Sequence, residues 1–172
     1  MMLDRMRQLI RLELVIPADW DRIDTIREGV GLCLAAVFGH GELKEALAMV
    51  SAELLENAVK YAKPGPSGIG FSLRREGDRL VVAVTNVIDE TISLRELRER
   101  IDWLRQFTDP AEAYIAALAK IYEQPAPSSG GGSGLGLVRI AYEGGCQVEC
   151  DTSVPGQLTV WAARDLSQSA GL

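Results

Sequence analysis

The chain reads as an α+β protein: a two-layer sandwich with a mostly antiparallel, mixed sheet and its helices on one face. Three observations carry that reading. The predicted elements run strand, two helices, two strands, a helical insert, a glycine loop, a short helix and two strands, an order that suits helices packed on one sheet. Only 38 residues follow Gly134, and two strands with one short helix cannot bury a core alone, so they complete the sheet begun before the insert. The 172 residues, 47% of them hydrophobic, suit one domain over 1–172 with one sizeable core.

Each element follows from local pattern. Residues 9–16, LIRLELVI, alternate in part and read as a strand stopped by Pro17. Asp19 is placed to cap a helix in which Trp20, Ile23, Ile26, Val30, Cys33 and Val37 recur at helical spacing, up to Gly39-His40-Gly41. A second helix runs from about Glu42 to Lys63 and stops at the Pro64-Gly65-Pro66 turn. Strands near Ile69–Arg74 and Arg79–Thr85 flank the hairpin signal Glu76-Gly77-Asp78. Ser93-x-x-Glu96 is a capping box with Leu94, Leu97, Ile101 and Leu104 at helical spacing. Asp109-Pro110-Ala111-Glu112 starts another helix, through Tyr114, Leu118 and Ile121. The run PAPSSGGGSGLGL, from Pro125 to Leu137, leads into a short helix, Leu137–Glu143, ended by Gly144-Gly145. Strands near Gln147–Asp151 and Leu158–Ala163 close the chain.

The charge balance narrows the function classes. With 18 basic and 24 acidic residues the net charge is −6, and no basic stripe stands out, which argues against a nucleic-acid or anionic-membrane partner. A phosphorylated ligand remains compatible, because backbone N–H groups and one cation suffice for it. Cys33, Cys146 and Cys150 are an odd, sparse set that fits a reducing compartment, and Cys146 and Cys150 read as small core residues. His40 is the sole histidine, which disfavours a structural zinc site. The longest apolar stretch, from Gly29 to Gly39, falls short of the roughly 20 residues of a membrane span, and the charged N-terminus lacks a signal-peptide layout. The reading is a soluble, cytoplasmic protein in which Trp20, Trp103 and Trp161 serve packing.

The second helix carries the informative pattern. At about 100° per residue, Leu43, Leu47, Val50, Leu54, Ala58 and Tyr61 define its buried face. Glu53, Asn57 and Lys60 form a second stripe at the margin of that face, while Glu45, Ala52, Glu56 and Lys63 lie outside. An amide oxygen coordinates Mg²⁺ without adding charge, and a lysine meets phosphate oxygens. A carboxylate one turn earlier polarises an attacking hydroxyl or water. The plain alternative is a solvated helix margin.

Gly130 to Leu137, GGGSGLGL, runs directly into a helix. Its glycines let the backbone approach a phosphate, and the helix start adds free N–H donors. The alternative is a flexible Gly/Ser linker. Because the strands beyond it complete the preceding sheet, the loop lies within a domain, and a ligand is the better reason for its glycines.

Together these segments resemble the GHKL ATPases of the Bergerat fold. Glu53-Leu54-Leu55-Glu56-Asn57-Ala58-Val59-Lys60-Tyr61 is similar to their N box, ExxxNAxKY, and Gly132-Ser133-Gly134-Leu135-Gly136-Leu137 to their second glycine box, GxGLGL. The start of the chain resembles bacterial anti-sigma-factor serine/threonine kinases of the RsbW type. The resemblance implies Glu53 as general base, Asn57 as Mg²⁺ ligand, Lys60 near the phosphates and Tyr61 near the nucleotide. It further implies Gly132, Gly134, Leu135 and Gly136 at the phosphate side, Thr159 at adenine, and a helical ATP lid over about 87–134. The first glycine box, DxGxG, is missing: the strand ends VAVTNVIDE, with Asn86 where the adenine-binding aspartate belongs. An amide oxygen at Asn86 can accept from an adenine amino group, and Asp89 is the alternative from a shifted loop. This loss, with a lid of two helices, resembles the divergent SiaB-type branch.

What the resemblance implies is an ATP- and Mg²⁺-dependent protein-serine/threonine kinase acting on a small regulatory partner, an anti-sigma antagonist or similar STAS-like protein, in a bacterial partner-switching pathway. A sigma factor is a further candidate partner. The missing box motivates a second reading, a nucleotide-dependent or nucleotide-free module that sequesters its partner without chemistry. A histidine-kinase-type ATPase domain ranks third, since His40 sits between glycines in a loop. The apolar positions of the 92–123 helices are candidates for a partner or homodimer surface, or for covering the nucleotide.

Overall fold

In the computed structural model, which describes residues 9–63, 65–88, 93–123 and 134–167, five strands form one open sheet in the order β1-β2-β3-β5-β4. In β1 (Arg11–Ile16) Leu12, Leu14 and Ile16 pack against the core, while Arg11, Glu13 and Val15 face outward. β1 pairs with β2 (Ile69–Glu76), Leu14 opposite Phe71. A two-residue turn, with Gly77 at φ +61°, leads into β3 (Arg79–Val87), the left-handed backbone that tight hairpins require. β3 pairs with β5 (Gln157–Asp165), and β5 with β4 (Cys146–Asp151).

All four pairings are antiparallel, so no parallel pair gives this sheet a mixed character among the described residues. Two helices joined by a short turn, rather than one crossover helix, separate β1 from β2, and it is the single crossover that makes parallel neighbours.

The helices cover one face. Asp19 accepts the N–H of Asp21 at 3.1 Å and opens a 3-10 turn, Trp20–Arg22, ahead of α1 (Ile23–Phe38). α1 buries Ile23, Val30, Gly31 and Leu34. Cys33 and Trp20, expected to pack, are exposed; Leu34 takes the inner position beside Cys33. α2 (Glu42–Tyr61) buries Leu47, Val50, Leu54 and Ala58 as its periodicity predicts. It also buries Ala46, Ala48, Ser51, Ala52 and Leu55, because α1 and α5 pack on it in addition to the sheet. Ala52, placed outside by its helical angle alone, is therefore inside.

The second half holds α3 (Ser93–Arg105), α4 (Pro110–Glu123) and the two-turn α5 (Gly136–Tyr142). Asp109 accepts the N–H of Ala111 at 2.9 Å where α4 begins. α3 lies in the stretch expected as a lid, yet Leu97 and Ile101 are buried in the same cluster as Leu158 and Val160. Arg98 and Arg105 also tie it to Thr152 and Glu149 at the β4 end of the sheet. α3 is thus built into the core. The core lies between the helices and the sheet face bearing Phe71, Leu73, Leu80, Val82, Val84, Leu158, Val160 and Ala162. No helix among the described residues is long and apolar enough to cross a membrane.

Candidate functional site

Glu53 and Asn57 stand one turn apart on α2, so both side chains leave the same side of the helix. That side meets the start of α5. A Cβ placed on Gly136 would come within 2.7 Å of Glu53 Oε2 and 3.7 Å of Asn57 Nδ2. The two helices approach this closely because Gly136 carries no side chain. The carboxylate, the amide and the last glycine of the GxGLGL run therefore meet at one place, although they come from segments some eighty residues apart in sequence.

Arg139, one turn after Gly136, completes the cluster. Its Nη1 donates to Glu53 Oε1, and its Nε and Nη2 donate to Glu143 Oε1 and Oε2 at 3.2 Å each. The Glu53 side chain is only 12% exposed. Burial holds its carboxyl above the ordinary glutamate range; the Arg139 guanidinium pulls the other way, and Glu56 and Glu143 add to the rise. Glu53 is thus a partly desolvated carboxylate with a single cationic neighbour on α5. Asn57, half-buried, makes no side-chain hydrogen bond among the described residues.

The other expected site residues are placed as follows. Lys60 is exposed, with its ammonium 5.3 Å from the centroid of the half-buried Tyr61 ring. Gly134 is exposed at φ +71°, and Leu135 directly precedes α5. Asn86 is buried, and its Nδ2 donates to Ala58 O at 3.3 Å. Ala58 belongs to the last turn of α2, where carbonyls lack helical partners, so Asn86 ties β3 to the end of α2. Thr159 is not brought to this cluster. It lies opposite Thr85, with their hydroxyls 2.8 Å apart, whereas Asn86 lies opposite Leu158. Alternate strand residues point to opposite faces, so Thr159 sits on the sheet face away from the helices. Gly132 and Asp89 lie outside the described residues.

Arg139 was not among the residues the sequence pointed to. A signal was present in its spacing: it follows Gly136 by three positions and precedes Glu143 by four, so both share its helix face.

Asn57 carries a neutral oxygen of the kind Mg²⁺ takes as a ligand, and the place a Cβ would fill at Gly136 is taken by the Glu53 carboxylate.

No family model and no curated protein matches the chain. Among solved structures, the SiaB–SiaC complex from Pseudomonas aeruginosa matches with a TM-score of 0.70 at 18% identity, over 94% of this chain and 93% of that one. The fold is SiaB-like. At that level of identity the likeness concerns the path of the backbone, and the chemistry rests on the residues themselves.

Proposed function

We propose that this protein is an ATP-dependent protein-serine/threonine kinase that phosphorylates a small regulatory protein in a partner-switching pathway. The observation that carries the reading is the meeting of Glu53, Asn57 and Gly136 at one point. Bound Mg–ATP would supply the phosphoryl group and neutralise its charge. Asn57 would hold the metal through its amide oxygen, and Lys60 would reach toward phosphate oxygens. Glu53 would accept the proton of the attacking hydroxyl, a task that suits a carboxylate whose basicity is raised by burial. Positioning and charge supply most of the rate in such transfers. The solved relative is in a complex with a second protein, SiaC, which supports a protein partner of that kind here.

The test is incubation with radiolabelled ATP, Mg²⁺ and a small STAS-like protein. Labelled partner with wild type, and at least about 100-fold less with Glu53→Gln, is the expected result. No labelling by wild type, or equal labelling by the variant, overturns the kinase reading.

Two observations favour a second reading, a partner-sequestering module without chemistry. Asn86 is buried and donates its amide N–H to Ala58, and Glu53 is paired with Arg139. Calorimetry separates the two: a folded protein that takes up no Mg–ATP is such a module.

A further inference from the structure

Arg139 holds three hydrogen bonds, one to Glu53 and two to Glu143. A guanidinium carries five N–H donors, so donors remain for a further anion. The pair to Glu143 grips one edge of the group at equal distances of 3.2 Å, a fork geometry that fixes its plane. The side chain is 36% exposed, against 12% for Glu53, so an arriving ligand reaches the arginine while the carboxylate stays sheltered. Gly136 and Arg139, three apart on α5, share the side turned toward Glu53.

These facts meet a requirement of charge. A phosphate group brought beside Glu53 would meet a carboxylate that Glu56 and Glu143 already push toward its neutral form. Two anions come together only with a cation between them, and Arg139 already stands on Glu53.

We propose that Arg139 is a positioning residue that bridges Glu53 and the terminal phosphate of a bound nucleoside triphosphate, so that the site prefers triphosphate to diphosphate. The inference rests on the nucleotide reading given above. In it, Glu143 is the anchor that keeps the guanidinium plane fixed, and Glu53 is held at the side of the phosphate rather than pushed away by it.

The test is calorimetric titration of the full chain with Mg–ATP and Mg–ADP, for wild type, R139Q and R139K. Wild type binds ATP more tightly than ADP. R139Q loses at least tenfold of that ATP-over-ADP ratio and keeps its ADP affinity. R139K keeps the charge but lacks the fork, and retains part of the preference; it also carries the test if R139Q fails to fold. A variant with the wild-type ratio, or a wild type that does not distinguish the two nucleotides, overturns the bridging role while the nucleotide reading stands. A folded wild type that binds neither nucleotide overturns both.

Discussion

Glu53 is held between opposing demands. Burial makes its charge costly, while Arg139 compensates in part. The folded protein therefore binds the Glu53 proton more tightly than the unfolded chain does. The sign follows by linkage: the contribution to stability is fully present below the ordinary glutamate range and is lost as pH rises through the raised value. Glu53→Gln removes the cost of burying a charge and leaves Arg139 paired with Glu143. Thermal melting is expected to show the variant more stable than wild type at pH 8, with the difference shrinking toward about pH 4. A variant less stable at pH 8 would mean that the Glu53–Arg139 pair outweighs desolvation. Stability gained at the expense of activity is the mark of a functional carboxylate.

At the scale of elements, the glycine that begins α5 and the one just past its end part company. A Cβ on Gly136 meets the carboxylate of Glu53, the far end of a flexible side chain that can swing aside. Gly136→Ala is expected to change stability by no more than about 1 kcal/mol, while weakening Mg–ATP binding measured by calorimetry. A Cβ on Gly144 instead presses onto the carbonyl oxygen of Ile140 and comes within 2.5 Å of Val50 Cγ2. Gly144→Ala is expected to cost about 1–3 kcal/mol in denaturant unfolding. α3 supplies a third case. A detachable lid would tolerate truncation, but Ile101 is 2% exposed, so Ile101→Ala should cost about 2–5 kcal/mol.

Much at this scale was legible in the sequence. The turn at Gly77, the start of α4 at Asp109-Pro110 and the inward row Leu47, Val50, Leu54 and Ala58 follow from local rules. Periodicity failed where the number of neighbours mattered. It gives the angle of Ala52 on α2, not the second and third helices that cover that angle. Trp20 and Cys33 fit an apolar stripe, yet nothing in spacing says where a packed face ends. Thr159 failed on parity: placing it with Asn86 needed the β3–β5 register, which pairs Asn86 with Leu158.

Across the whole molecule, the candidate site is a product of topology. α2 sits between β1 and β2, and α5 precedes the last hairpin, so Glu53 and Arg139, 86 positions apart, meet when the sheet closes. The two motifs, and their facing one another across one cleft, were expected from the sequence; the arginine that joins them was not. The back of the sheet, with Thr85, Thr159 and Trp161, belongs to a different surface.

A single nucleotide bound between the α2 stripe and the glycine turn would touch both at once. That shared contact is tested most directly by following nuclear magnetic resonance signals during a titration with ATP and Mg²⁺. The probes are the backbone amides of Gly134, Leu135 and Gly136 and the side-chain amide of Asn57. All of them are expected to shift with one common midpoint, and Asn57→Ala to weaken binding at the glycines by roughly tenfold or more, about 1.4 kcal/mol. Glycine and Asn57 signals that stay still in a folded protein, or that move at separate midpoints, would contradict a shared site.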